Sequence, residues 1–224
     1  FYLYARSARR IWLVPRDDMR TLTYLGICGV FDPPGRCHPE FVDGIFEDLN
    51  WLGVGHDGEA VVQSERTAHY GEALERLREM GLVYACFCTR AEIAQSLTAP
   101  HGDAGSLYPG TCRPLPDDPV RRATTPHCWR LDSSNALKLA GLPGWVESDG
   151  TRFASQASDF GDAVLARKDA PSSYHLSCVV DDAASGVNLV VRGADLRPST
   201  PTQRLLQTLL GLPGPAYLHH PLVA

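Results

Sequence analysis

"YHLSCVVDDAASGVNLVVRGADLRPSTPTQRLLQTLLGLPGPAYLHHPLV", residues 174–223, sets out a fold in one stretch. Its first two pieces, "YHLSCVVDD" and "GVNLVVRGADL", are apolar and β-branched, and read as β segments. Between them "DDAASG" has the composition of a polar turn, so Asp181 and Asp182 read as turn residues rather than as a magnesium pair. "STPTQRLLQTLLGLP" is a signalled helix. Thr200 and Gln203 have capping-box spacing, Pro201 suits the first helical position, and Gly211 suits the stop. His219 and His220, before Pro221, read as structural residues at a strand start.

Upstream, "FGDAVLARKD" adds another β segment. In "HPEFVDGIFEDLNWLG" Phe41, Ile45, Leu49 and Leu52 lie on one helical stripe. "SERTAHYGEALERLREMG" predicts a second amphipathic helix, with Tyr70, Ala73, Leu74 and Leu77 inside, Ser64 as N-cap and Gly81 as stop. Strands alternating with helices imply a parallel α/β sheet. From Cys86 to about Phe160 the composition shifts to Gly, Pro, Ser and Asp, as in an inserted, loop-rich subdomain. The expected organisation is a core from 1–85 and 160–224, with 86–159 inserted.

With 224 residues and 44% hydrophobic composition, the chain can bury a sizeable core. Its net charge of −5 gives no global nucleic-acid signature, so any RNA surface must be a local patch. There is no membrane-length apolar run and no secretory signal at the start. Seven cysteines, an odd number, suit a reducing compartment, and the cytoplasm is the expected location.

Cys86 and Cys88 flank Phe87 too closely for an easy disulfide, and in a strand both would face one side. "YPGTC" then brings Tyr108 and Cys112 around a Pro-Gly turn. Three thiolates and one further ligand would satisfy a tetrahedral zinc, the fourth being Tyr108, His101 or His127. A site with four protein ligands leaves no open position for water, so such a zinc would be structural.

The pattern "VVRGADL", "STP" and "PAYLHHPLV", together with "EDLNWLGVGHDGEAVVQSERTAHYGEALERLREMGLVYACFCTRAEI", resembles the glutamyl-tRNA synthetase-like group of class I aminoacyl-tRNA synthetases. The resemblance is closest to the branch that attaches glutamate to queuosine of tRNA(Asp); discriminating glutamyl-tRNA synthetases usually carry a glutamate where this chain has Ala194. The likeness spans residues 37–224 and is weak around 114–158. It implies a Rossmann-like catalytic core with an inserted zinc-binding subdomain, and zinc held by Cys86, Cys88, Tyr108 and Cys112. It also implies that Tyr174 and Arg192 contact glutamate, that ATP with Mg²⁺ is the co-substrate, and that tRNA(Asp) carrying queuosine is the acceptor. A monomer is expected. The chemistry implied is an ATP-dependent ligation through a glutamyl-adenylate, with no covalent enzyme nucleophile.

The group's phosphate-handling motifs, of His-x-Gly-His and Lys-x-Ser-Lys type, are absent from the sequence. The chain as written is therefore expected to be catalytically incomplete. In 15–32, "PRDDM" and "FDPPGRC" bracket extra residues, and Asp17 stands where the group places a substrate-contacting glutamate. Two rival readings are a fragment of a discriminating glutamyl-tRNA synthetase and a non-catalytic zinc-stabilised binding module descended from one.

Overall fold

A computed structural model describes the backbone of residues 11–13 and 21–25, residues 43, 44, 47, 48, 50 and 51, and then 63–89, 91–93, 108 and 110–222. In chain order the elements are β1 (Ile11–Leu13), β2 (Thr21–Leu25), α1 (Thr67–Glu79), β3 (Val83–Cys86), α2 (Pro119–Thr124), β4 (Cys128–Leu131), α3 (Ser133–Ala140), β5 (Gly144–Val146), β6 (Arg152–Ala154), β7 (Val164–Ala166), α4 (Tyr174–Ala184), β8 (Leu189–Gly193), α5 (Thr200–Leu210) and β9 (Ala216–His220). Residues 43, 44, 47, 48, 50 and 51 are helical, within the first predicted helix. Asp17 and most of 15–32 lie outside the described residues.

The expected parallel sheet is present as β2, β8 and β9, with β1 added antiparallel on the outer edge. α5 links β8 to β9, as a parallel pair requires. A second sheet is antiparallel, in the order β3-β4-β7, and β5-β6 forms a separate hairpin. Among its described residues, the stretch expected to be loop-rich thus carries α2 and α3, the strands β4, β5 and β6, and a helical turn at 91–93. One core joins these parts: Leu74 and Leu77 of α1, Leu131 of β4, Ala136 of α3, Leu165 of β7, Leu176 and Val179 of α4, and Leu205, Leu206, Leu209 and Leu210 of α5. Truncating a fully buried leucine such as Leu77, Leu176 or Leu205 to alanine costs about 2–5 kcal/mol.

The segment "YHLSCVVDD" corrects the sequence reading, because it is the helix α4 and not a strand. Leu176, Cys178, Val179, Asp181 and Asp182 are all buried, so the run shows no polar face. Without that face a buried helix and a buried strand look alike in sequence. Asp181 and Asp182 accordingly lie within the helix and not in a turn. Asp181 accepts from Gln63 Nε2 at 2.8 Å, Arg66 Nε at 2.7 Å and Tyr70 Oη at 2.7 Å, tying α4 to the start of α1. These three donors satisfy a carboxylate only 1% exposed.

α1 begins at Thr67 behind Arg66, which gives no side-chain cap, so the start lies beyond the expected Ser64. Its stop is as predicted. Gly81 takes a φ of 69°. Its N–H reaches the Arg78 carbonyl at 2.8 Å, and the Leu82 N–H reaches that of Leu77 at 3.0 Å. This paired closure favours glycine because the left-handed turn penalises a Cβ.

Candidate functional site

The predicted thiols converge. Cys86 ends β3 and Cys88 follows it, while Cys112 comes from the turn after Tyr108. The three Sγ atoms lie within 4.8 Å of one another, with Cys88 and Cys112 at 3.4 Å. Tyr108 Oη sits 3.3 Å from Cys86 Sγ and 3.4 Å from Cys88 Sγ, and accepts from the Cys112 N–H at 3.0 Å. Gly110, at φ 79°, makes the return possible, and a Cβ there would come within 3.0 Å of the Arg113 guanidinium. Sulfurs around a tetrahedral zinc stand about 3.8 Å apart, given zinc–sulfur bonds of about 2.3 Å, so these residues fit that ion. His127 is turned away onto Phe87 and Trp129, with ring centroids at 5.5 and 5.1 Å. His101 lies outside the described residues.

Sequence reasoning missed the supports of this cluster. Cys128 stands directly across the ladder from Cys86, and its thiol donates to the Cys86 carbonyl at 3.5 Å. Their contact lowers the Cys86 thiol, and together with burial raises that of Cys128. Arg130 lays its guanidinium 3.9 Å over the Tyr108 ring and donates to the Asp162 carbonyl at 2.7 Å. The Asp162 carboxylate, in a residue 2% exposed, accepts from Tyr84 Oη at 2.5 Å, Arg113 Nε at 2.8 Å and the Ser133 N–H at 3.1 Å. One carboxylate thereby ties β3, which carries Cys86, to the loop that carries Cys112. Only the β3–β4 register could have announced Cys128, and no local spacing encodes that register.

The second site surrounds Arg192, near the carboxyl end of β8, where open α/β sheets gather ligands. Arg192 is 5% exposed. Its Nη1 donates to Gln203 Oε1 at 2.7 Å and reaches Tyr174 Oη at 3.5 Å, while Nη2 donates to Thr200 Oγ1 at 2.6 Å and Nε to His219 Nε2 at 3.1 Å. Tyr174 and Arg192 are thus brought together. Thr200 and Gln203 are not a capping box: the α5 N-cap is Ser199, without a side-chain bond, and both side chains serve Arg192. His219 and His220 likewise correct the sequence reading, since they close β9 and do not begin it. Arg192 and His219 are register partners on parallel strands, which places their side chains on one face. No carboxylate among the described residues comes within ion-pair distance of the Arg192 guanidinium, whose hydrogen bonds there go to an amide, two hydroxyls and an imidazole.

Residues 33–224 match the family described as tRNA synthetases class I (E and Q), catalytic domain. The chain belongs to that family. Among curated relatives, the glutamyl-Q tRNA(Asp) synthetase of Nocardia farcinica is 42% identical over 223 residues, covering 99% of this chain and 65% of that protein. The glutamyl-Q tRNA(Asp) synthetase of Rhodobacter capsulatus is 40% identical over 200 residues, covering 84% of this chain and 71% of that protein. The chain thus spans about two thirds of the length of these synthetases. A solved glutamate tRNA ligase from Elizabethkingia meningosepticum, in complex with its amino acid, superposes with a TM-score of 0.68 at 24% identity. It covers 85% of this chain and 41% of its own, and establishes the class I synthetase fold for the described core. No helix among the described residues is long and apolar enough to cross a membrane.

Proposed function

We propose that the protein containing this chain activates glutamate with ATP and transfers it from glutamyl-adenylate to queuosine of tRNA(Asp). The observation that carries this reading is the buried Arg192 guanidinium, held by neutral acceptors with no carboxylate partner among the described residues. A buried cation without a counter-charge is costly, and a substrate carboxylate offsets that cost with a charge-assisted, two-bond geometry. Tyr174 Oη stands beside it. The Gln203 Nε2 is buried without a hydrogen-bond partner among the described residues, which further suits a site completed by a ligand.

Cys86, Cys88, Tyr108 and Cys112 hold a structural zinc in this reading, whose chemistry is to fasten a loop to β3 and not to activate water. Residues 86–159 form the inserted unit that carries all four of these residues, between core segments 1–85 and 160–224. The protein works as a monomer in the cytoplasm, with ATP bound alongside Mg²⁺. The names of its relatives support queuosine of tRNA(Asp) as acceptor over the 3′ end of tRNA(Glu).

The test is glutamate-dependent ATP–pyrophosphate exchange by the protein as its gene encodes it, without and then with tRNA. Exchange without tRNA, followed by labelled glutamate appearing on queuosine-containing tRNA(Asp), is the expected result. Exchange only with tRNA(Glu) would move the reading to a glutamyl-tRNA synthetase. No exchange from a folded sample would overturn the reaction.

A further inference from the structure

The Arg192 cradle has a second end that the proposed substrate contacts leave unexplained. The His219 side chain is fully buried, with Nε2 facing Arg192 Nε at 3.1 Å. A guanidinium N–H can only donate, so Nε2 must offer a lone pair and the ring proton must sit on Nδ1. Nδ1 faces Glu147 Oε1 at 2.7 Å. Glu147, 8% exposed, also accepts from Trp145 Nε1 at 3.0 Å and from the His219 backbone N–H at 3.3 Å. Thr200 Oγ1 lies 3.3 Å from His219 Nε2, on the side where it accepts from Arg192. The order is therefore carboxylate, neutral imidazole, guanidinium, with Glu147 supplied from the end of the β5–β6 hairpin.

We infer that Glu147 and His219 are positioning residues for substrate binding: Glu147 fixes the His219 tautomer, and His219 fixes the orientation of Arg192. This inference rests on the reading of Arg192 as a carboxylate receptor. An imidazole spacer suits that task better than a direct ion pair. It orients the guanidinium through Nε yet keeps the protein's own carboxylate one ring away, so it does not compete with the incoming carboxylate. Burial lowers the His219 pKa and the Arg192 charge lowers it further, against the opposing Glu147, which agrees with a neutral ring. Tyr217 backs the arrangement, its ring stacked on His219 at 5.8 Å and the Arg192 guanidinium 5.2 Å from its centre.

The experiment is ¹⁵N NMR on the whole chain with labelled histidine and arginine, combined with calorimetric titration of L-glutamate. The expected result is His219 as the neutral Nδ1–H tautomer and a protected Arg192 Nε–H resonance. That resonance should be lost to exchange in His219→Ala and restored in His219→Gln, whose side-chain carbonyl can accept in the same place. Glutamate binding should weaken about tenfold or more in His219→Ala and recover in His219→Gln, as for one hydrogen bond to a charged group. An Nε2–H tautomer or a charged ring would overturn the inference, as would an Arg192 resonance and an affinity unchanged in His219→Ala. If His219→Ala does not fold, Glu147→Ala replaces it. A loss of the Nδ1–H preference supports the inference, and an unchanged preference overturns it. If the unsubstituted chain binds no glutamate, the substrate reading fails, and the positioning roles are still decided by the Arg192 resonance.

Discussion

The thiol cluster and the Arg192 cradle solve the same problem, charge held away from water, by opposite constructions. The cluster gathers three groups that become anionic on binding metal, all from residues 86–112, and calls for a cation. The cradle gathers neutral acceptors around one cation from Tyr174, Thr200, Gln203 and His219, spread over α4, α5 and β9, and calls for an anion. The first is a loop closed on itself. The second exists only once β8 and β9 lie side by side. The cluster can therefore fail locally while the parallel sheet stands, whereas the cradle depends on the sheet being formed.

Removing a thiol should have the largest effect. Cys112→Ser is expected to lose the metal and lower the melting temperature by about 10 °C or more, because metal-binding energy is folding energy at such a site. Metal analysis and a thermal melt check this, and a chelator should destabilise the unsubstituted chain while leaving the variant unchanged. Asp162→Asn should follow, at about 1–3 kcal/mol, since it weakens the tie between β3 and the Cys112 loop at a buried acceptor. Chemical denaturation measures it, with bound metal as a second readout. If Asp162→Asn left stability untouched, the support assigned to that carboxylate would be wrong.

Glu147 gives a smaller, pH-dependent effect. Burial raises its pKa, but hydrogen bonds from His219 and Trp145 outweigh that and hold it below the ordinary 4.5. A depressed carboxylate contributes stability that is present above its unfolded value and is lost as pH falls through its folded one. Below about pH 4.5 the unsubstituted chain should therefore lose more stability than Glu147→Gln, seen as a steeper fall in denaturation midpoint. Smallest of all, Asp117→Asn should change stability by under about 0.5 kcal/mol, because the Arg122–Asp117 pair is a surface contact with Asp117 60% exposed. A larger change there would mean that α2 matters to the thiol cluster in a way its surface position does not suggest.

How much of this was legible followed the same division. The thiols were readable because C-x-C and a Pro-Gly turn are local, and chemistry narrows what three thiols can do. In the cradle, Thr200 and Gln203 gave a false local signal: at i and i+3 they mimic a capping box, and only the register of β8 against β9 reveals Arg192 as their partner. Arg192 and Tyr174 came through family resemblance, not through spacing. α4 was misread because burial on all sides erases the polar face that gives a helix its period. Glu147 had no signal at all, since its role depends on where a short hairpin lands.

The most direct test of the central claim is calorimetric titration of L-glutamate into the chain and into Arg192→Lys, with folding and metal content matched. A lysine keeps the charge but cannot hold a carboxylate by two parallel bonds. The account expects binding to the unsubstituted chain, and a loss of about tenfold or more in the variant with little change in melting temperature. Equal affinity in both would contradict the assignment of Arg192 as the carboxylate receptor.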